Sequence, residues 1–548
     1  MITLYKYFIH DNQEQRLLFK RLIDICFDFW NGKTRNGKVL IYKSPDWLKN
    51  KLSSLNPKRG IKEDKILDIL RDIGKYSISQ SDVNYLAFPD SSNSLAGMMA
   101  EIYTKFLNQN MIAFSRSAPY ATFIEIQLIE WLRQLIGYDF KNIKDVNSLA
   151  EVGGMCTTGG HMSNHISILA ALNHKYPQIK ENGLNNLGVS PKIILAGKIS
   201  HYSYSSAMHH LGLGNNNIIS TESTTAFTTD LNSLRNELNK HRGSDDVFMV
   251  VAVAGNSRTC GIDDIEAISN ICKEFGVWLH VDACHGGSLI FSDKLKNKHL
   301  KRIETADSIS IDPHKGMFVT YPLSYVLFKK RDSLVPFTRY ESQVRSGEAW
   351  DLGYTSPFYG SRGFESLKLW TMIRSMGFDG LRKAVEKREG DAIFVQKYLT
   401  ESEHFILFHE MTFYRLAFVF YPNDVKNIVD NRKISLEQKK KIRLCIDNYT
   451  HKINDELYKE GTICLDEFKL HDIANITNLE SGNDRFYVMS VTTGNPTYSK
   501  KSLKRSLDVL ITKSKNYSGS FRADIIKILN SESYSVEVSE GYGPASWK

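Results

Sequence analysis

Ser308-Ile309-Ser310-Ile311-Asp312-Pro313-His314-Lys315-Gly316-Met317 is the stretch on which the reading of this chain turns. Ile309 and Ile311 alternate with serines as in a short strand, and Pro313 forces the backbone out of regular structure directly after Asp312. A histidine and a lysine are thereby presented just past the strand's end. A lysine at such an exit can have its pKa lowered by burial, freeing its amine to attack a carbonyl. Taken alone, the segment reads equally well as a surface turn carrying two basic residues, so the rest of the chain has to decide.

Thirty-three residues before Lys315, Trp278-Leu279-His280-Val281-Asp282-Ala283-Cys284-His285-Gly286-Gly287 reads as an apolar strand that delivers one carboxylate at its end. Small residues follow, where a flat ligand can approach the backbone. Earlier still, Met155-Cys156-Thr157-Thr158-Gly159-Gly160-His161-Met162-Ser163-Asn164 leads into a helical run from His165 to Asn173. A glycine pair feeding a helix N-terminus offers free N–H groups and the positive dipole end to a phosphate. An anion cradle, a carboxylate at a strand end and a lysine are what pyridoxal phosphate needs: a phosphate site, a partner for the pyridinium nitrogen and a Schiff-base amine.

On the runs His280-Val281-Asp282-Ala283 and Asp312-Pro313-His314-Lys315, the sequence resembles the group II pyridoxal-phosphate-dependent amino-acid decarboxylases, which include enzymes acting on aromatic amino acids, histidine, glutamate and diaminobutyrate. The resemblance spans most of the chain, from Phe88-Pro89-Asp90 to Asn495-Pro496-Thr497. It implies an α/β chain of the fold type I, aspartate aminotransferase-like class, with a large, mostly parallel-sheet domain and a small C-terminal α+β domain. The implied boundaries are 1–120 for an N-terminal helical segment wrapping the partner subunit, 121–385 for the large domain and 386–548 for the small one. It further implies a homodimer with active sites at the subunit interface, and decarboxylation of an L-amino acid to its amine.

By the same resemblance, Lys315 is the Schiff-base lysine, Asp282 faces the pyridinium nitrogen and His201 stacks on the ring. Gly160 and His161 fall in the phosphate cradle, and Asp312 and His314 flank the lysine. Asn256 and Ser257 stand where the family has Gly-Thr-Thr, and can still offer hydrogen bonds near the cofactor's hydroxyl. Cys284 replaces an alanine beneath the ring. Gly360 and Ser361 are expected to reach the partner's phosphate, whereas Arg362 is assigned a structural part, with Gly363 in place of an often-seen second arginine. Phe88, Pro89 and Asp90 line the expected substrate pocket, although Asp90 serves equally as a helix cap or Asx turn. The long polar stretch from Thr338 to Tyr354 reads as either a disordered segment or a functional lid; the resemblance implies a loop that closes over the neighbouring active site. Its Tyr340 is the preferred donor of a proton to the substrate carbon, with Tyr354 and Tyr359 as alternatives.

Bulk properties bound the remaining possibilities. The chain has 548 residues, 42% hydrophobic and 24% charged, enough for several packed layers. The longest apolar run, Val247 to Ala254, is strand-sized rather than membrane-sized. Met1-Ile2-Thr3-Leu4-Tyr5-Lys6 lacks a secretory pattern, so the expected location is the cytoplasm. The seven cysteines are scattered without metal-ligand spacing, so neither disulfides nor a metal centre is expected. The net charge of +9 is spread along the chain, which argues against a nucleic-acid partner. Leu18, Leu22, Ile25 and Cys26, then Ile66, Ile69, Leu70 and Ile73, predict amphipathic helices near the N-terminus. Other chemistries of the same fold remain open: a carbon–carbon lyase, a decarboxylation-dependent oxidative deaminase, or a catalytically silent homologue, against which the retention of Lys315, Asp282 and His201 argues.

Overall fold

The β-branched runs become the middle of a seven-stranded sheet. The computed structural model describes residues 8–53, 60–91, 93–197, 199–337, 350–479, 485–531 and 536. In chain order the strands are β1 (Gly154–Thr157), β2 (Lys192–Ala196), β3 (Ile218–Thr221), β4 (Val247–Val253), β5 (Trp278–Ala283), β6 (Ser308–Ile311) and β7 (Ser324–Phe328). They lie in the order β1-β7-β6-β5-β4-β2-β3. The neighbours from β6 to β3 are parallel, and β7 runs antiparallel to both β6 and β1. All seven residues of β4 are buried, the unbroken apolar run of a parallel strand covered on both faces. Along β7, Tyr325 and Leu327 enter one apolar cluster while Val326 and Phe328 enter another, as alternation across a sheet requires.

Among the helices that lead up to this sheet or pack around it are α1 (Gln13–Trp30), α2 (Leu95–Leu107), α3 (Pro119–Ile136), α4 (Gly160–Lys175), α5 (Ser203–His210) and α6 (Ser366–Glu401). Helix α3 packs on β1, and α4 packs on β4, β6 and β7. Helix α6 turns sharply at Gly377, whose φ of 63° and ψ of 171° are not helical. Its first half puts Leu369, Met372 and Ile373 into the large-sheet core, and its second half puts Val395 and Leu399 into a second core. That second core lies on an antiparallel sheet ordered β10-β11-β9-β8, made of β8 (Phe405–Leu407), β9 (Arg415–Phe420), β10 (Asp466–His471) and β11 (Arg485–Thr492).

The N-terminal segment is stitched into this smaller sheet. The Leu86 amide donates to the Cys464 carbonyl and the Thr492 amide to the Leu86 carbonyl. The Thr492 hydroxyl donates to the Ala87 carbonyl, and Tyr498 to that of Tyr85. Helices α1 and α2 leave large apolar side chains in solvent, including Phe27, Trp30, Leu95, Met99, Tyr103 and Phe106. Among the described residues no helix is long and apolar enough to cross a membrane, and all seven cysteines are free.

In the large sheet, β1 and β3 are the two strands that the sequence does not announce. Gly154 and Thr157 bound a four-residue β1 whose partner, β7, lies far along the chain, and no local periodicity announces such a pairing. Helix α3 begins at Pro119, because a proline at the first helical position costs no hydrogen bond.

Candidate active site

The C-terminal ends of β4, β5 and β6 open beside the N-terminus of α4, the place where parallel sheets bind ligands. A cavity of about 210 Å³ lies there, lined by Asp282, Cys284, Asp312, His314 and Lys315 from the strand ends. Gly160, His161, His201, Asn256 and Ser257 complete the sequence-predicted part of the lining, joined by Asn164 and Tyr202.

Asp282 ends β5 and is buried. Its Oδ2 accepts from Asn164 Nδ2 and from the Tyr204 hydroxyl, each at 3.0 Å. Its Oδ1 accepts from the Cys284 amide at 3.1 Å and the Ser310 hydroxyl at 3.4 Å. Burial pushes the carboxyl pKa up, but the neighbouring His280, the Cys284 contacts and His201 outweigh it, and the net direction is down. These hydrogen-bond donors are all neutral. An ionised carboxylate is therefore held in place with its charge available to a cationic ligand atom.

A chain of side chains fixes this arrangement from behind. Trp278 Nε1 donates to Ser308 Oγ at 2.9 Å, and the Ser308 hydroxyl then meets His280 Nδ1, also at 2.9 Å. His280 Nε2 meets Asn164 Oδ1 at 3.2 Å. An amide oxygen only accepts, so the Nε2 proton points at Asn164 and turns that residue's NH₂ toward Asp282. Burial lowers the His280 pKa to about 4, so the ring stays neutral. Asn164, Tyr204, His280 and Ser310 were not singled out from sequence. Period-2 alternation along β5 puts His280 on the same face as Asp282, a signal present in the sequence.

Lys315 corrects an expectation. Its Nζ lies 2.9 Å from Asp312 Oδ2. Burial does oppose its charge, but the Asp312 carboxylate, with Cys284 and Asp282 nearby, outweighs burial and raises the pKa. The amine is held as an ammonium rather than freed by desolvation. Asp312 is itself fixed, because Ser324 donates to its Oδ1. Burial also raises the Cys284 pKa, which keeps that thiol neutral.

His201 Nδ1 accepts from the Ser203 amide at 3.2 Å, which leaves Nε2 to carry the ring proton. At the start of α4, Met162 and Ser163 both donate to the Gly159 carbonyl, and among the described residues no acceptor takes the Gly160 or His161 amide. Gly160 is obligatory by close approach. A Cβ there would lie 2.4 Å from Cys284 Sγ and within 2.9 Å of both Asp312 carboxylate oxygens. Asn256 lines the cavity, yet its side chain is committed to its own loop: Nδ2 donates to the Phe227 carbonyl and to Thr259 Oγ1, while Oδ1 accepts from two amides.

Other predicted residues lie outside this lining. Asp90 accepts from the Tyr321 hydroxyl, and the Tyr321 ring lies 4.3 Å from that of His314, so those two side chains link Asp90 to the cavity wall. Pro89 is buried against Gly494, and Phe88 is exposed. Gly360 is exposed, and Ser361 accepts from Asn110 Nδ2 at 2.9 Å. Arg362 makes a two-pronged ion pair with Glu125, at 2.8 and 2.6 Å, in keeping with a structural part. Tyr340 lies outside the described residues. Tyr354 is buried, and Tyr359 shares a 2.8 Å hydrogen bond with Thr158 Oγ1 beside the cradle.

The residues present fit pyridoxal phosphate at three points: unpaired helix amides for an anion, a buried carboxylate without a cation, and a primary amine at the cavity wall. The fold and this donor set together define a pyridoxal-phosphate enzyme of fold type I. The chain belongs to the pyridoxal-dependent decarboxylase family, whose conserved-domain model matches residues 45–420. It is 26% identical over 437 residues to a glutamate decarboxylase of Drosophila melanogaster, covering 77% of this chain and 82% of that protein. A crystal structure of mouse CSAD superposes with a TM-score of 0.81 at 21% identity, over 92% of this chain and 99% of the other. A Catharanthus roseus tryptophan decarboxylase in complex with L-tryptophan gives 0.76 at 20% identity, over 92% and 99%.

Proposed function

We propose that this protein removes the α-carboxylate of an L-amino acid, using Lys315 as the amine that bonds to the cofactor. The observation that carries the reading is the pairing, across one cavity, of the Lys315 ammonium with an ionised Asp282 that has only neutral hydrogen-bond donors. Bound pyridoxal phosphate supplies an aldehyde for that amine and a ring that takes up the electrons of the broken bond. Asp282 would hold a proton on the ring nitrogen, and the free amides of Gly160 and His161 would hold the phosphate. Asp312, 2.9 Å from Nζ, is placed to take up the proton that the ammonium must give up before its amine can bond to an aldehyde. His201 would cover one face of the ring with Nε2–H turned to the substrate side. In the overall change the Cα–carboxylate bond breaks, carbon dioxide leaves and one proton is taken up at Cα. Tyr340 is the proposed donor of that proton.

The exposed apolar faces of α1 and α2 support a homodimer, in which residues 1–120 cover the partner. The separate apolar core on the small sheet supports division into 121–385 and 386–548. A cytoplasmic location is part of the same proposal.

An absorbance spectrum of purified protein, followed by a panel of L-amino acids assayed for carbon dioxide, amine, ammonia and oxygen use, tests the reading. The expected result is a visible band of lysine-linked cofactor that disappears in Lys315→Ala, with carbon dioxide and amine formed from one substrate. Oxygen uptake with ammonia would replace the reading by oxidative deamination. Absence of the band after adding cofactor would overturn it.

A further inference from the structure

A cluster of three imidazoles lies on the rim of the cavity, where α4 and α5 pack together. His161 and His165 are one turn apart on α4, and His210 ends α5. One ring nitrogen from each lies within 4.8 Å of the other two. His165 is buried, His161 half-buried and His210 exposed. The His161 and His165 rings stack at 4.6 Å, and His165 Nε2 lies 3.1 Å from His210 Nδ1.

From this geometry we infer that His161, His165 and His210 form a site for a divalent transition-metal ion of the zinc, cobalt or nickel type, a ligand the decarboxylation reading does not require. The tautomer of the central residue is already the one a ligand needs. His165 Nδ1 is 2.8 Å from the His161 carbonyl, which can only accept, so Nδ1 carries the proton and Nε2 accepts a hydrogen bond from His210 Nδ1 at 3.1 Å, whose proton the ion would displace. Donation of the second ring N–H to a backbone carbonyl is the usual way a metal-binding imidazole is oriented. Two nitrogens bound to one tetrahedral ion at 2.0–2.1 Å lie about 3.3 Å apart, close to the spacing already present between His165 and His210.

The i, i+4 spacing of His161 and His165 puts both rings on one helix face, as in helical zinc sites. The cluster contains three imidazoles and no carboxylate, which selects borderline ions over calcium or magnesium. Exposure of His210 gives the ion an entry path and leaves a fourth position to water.

The test titrates zinc calorimetrically into chelator-treated holoenzyme, and repeats the titration with cobalt while following the visible bands of tetrahedral cobalt. A single tight equivalent per chain is expected. It should weaken at least about tenfold in His210→Ala and in His165→Gln. His210→Ala changes an exposed side chain, so its folded state and its cofactor absorbance should be unaltered. Failure of the wild-type protein to bind an equivalent, or equal binding by wild type and His210→Ala, would overturn the site. Retained zinc binding in a His161→Ala, His165→Gln, His210→Ala triple variant would assign the metal to adventitious groups elsewhere and would likewise overturn it.

Discussion

Replacing Asp312 by asparagine should turn Lys315 from a stored ammonium into a neutral amine at lower pH. Asp312 is buried, its Oδ2 2.9 Å from Nζ, and its Oδ1 accepts from Ser324. In Asp312→Asn the amide oxygen keeps the Ser324 hydrogen bond, which turns the new NH₂ toward the lysine. An NH₂ group cannot accept from an ammonium, so the attraction becomes a mild repulsion. An opposite charge at this distance moves a pKa by about 1–3 units, or about 1.4–4 kcal/mol. The Lys315 side chain is only 21% exposed, so little of this is lost to solvent screening. Burial, the largest influence on Lys315, then acts in the same direction as the substitution. Cys284 and Asp282 remain, so the shift is bounded. The assay is the rate of cofactor addition to apoprotein, followed by visible absorbance as a function of pH. The midpoint of the rise should move down by about 1–3 units. An unchanged or raised midpoint would refute the claim that Asp312 sets the protonation of Lys315.

Tyr204→Phe removes one hydrogen bond from the ionised Asp282 without opening a cavity, and should cost about 1.5–3 kcal/mol at pH 7 in denaturant unfolding. Because the folded pKa of Asp282 is lowered, its contribution is present above the unfolded carboxylate pKa and is lost as pH falls through the folded value. The difference between wild type and Tyr204→Phe should therefore shrink in acid. Gly160→Ala should cost about 1–3 kcal/mol by overpacking against Cys284 and Asp312, and should weaken cofactor binding measured by equilibrium titration; adding Cys284→Gly should recover part of both losses. Glu125→Ala strands the buried Arg362 and should destabilise the protein by about 3–5 kcal/mol in urea unfolding, while cofactor affinity of the folded variant should change little.

What the sequence revealed and what it hid follow from distance along the chain. Lys315 and Asp312 lie three residues apart, and Asp282 ends a strand whose apolar pattern is local, so both ends of the site could be read directly. The donors that keep Asp282 ionised come from Asn164, 118 residues away, and Tyr204, 78 residues away. No spacing rule connects them. The expected fall in the Lys315 pKa failed for a different reason. Burial is the largest single influence and lowers the pKa, but the carboxylate three residues earlier, together with Cys284 and Asp282, acts in the opposite sense and outweighs it. Asn256 shows the converse error: the right residue type in the right loop, with its hydrogen bonds already taken by Phe227, Arg258 and Thr259.

The stitching of residues 85–87 into the small sheet also bears on how the chain is made. Ala87 and Thr492 are hydrogen-bonded although 405 residues separate them. At about 5–20 residues per second, a ribosome takes about 20–80 s to deliver the second after the first. Throughout that interval the early segment lacks the Cys464 and Thr492 partners to which it hydrogen-bonds. The last β-strand to be synthesised is thus the one that fastens the first hundred residues, so a nascent chain truncated before Thr492 leaves its beginning, as well as its end, unfinished.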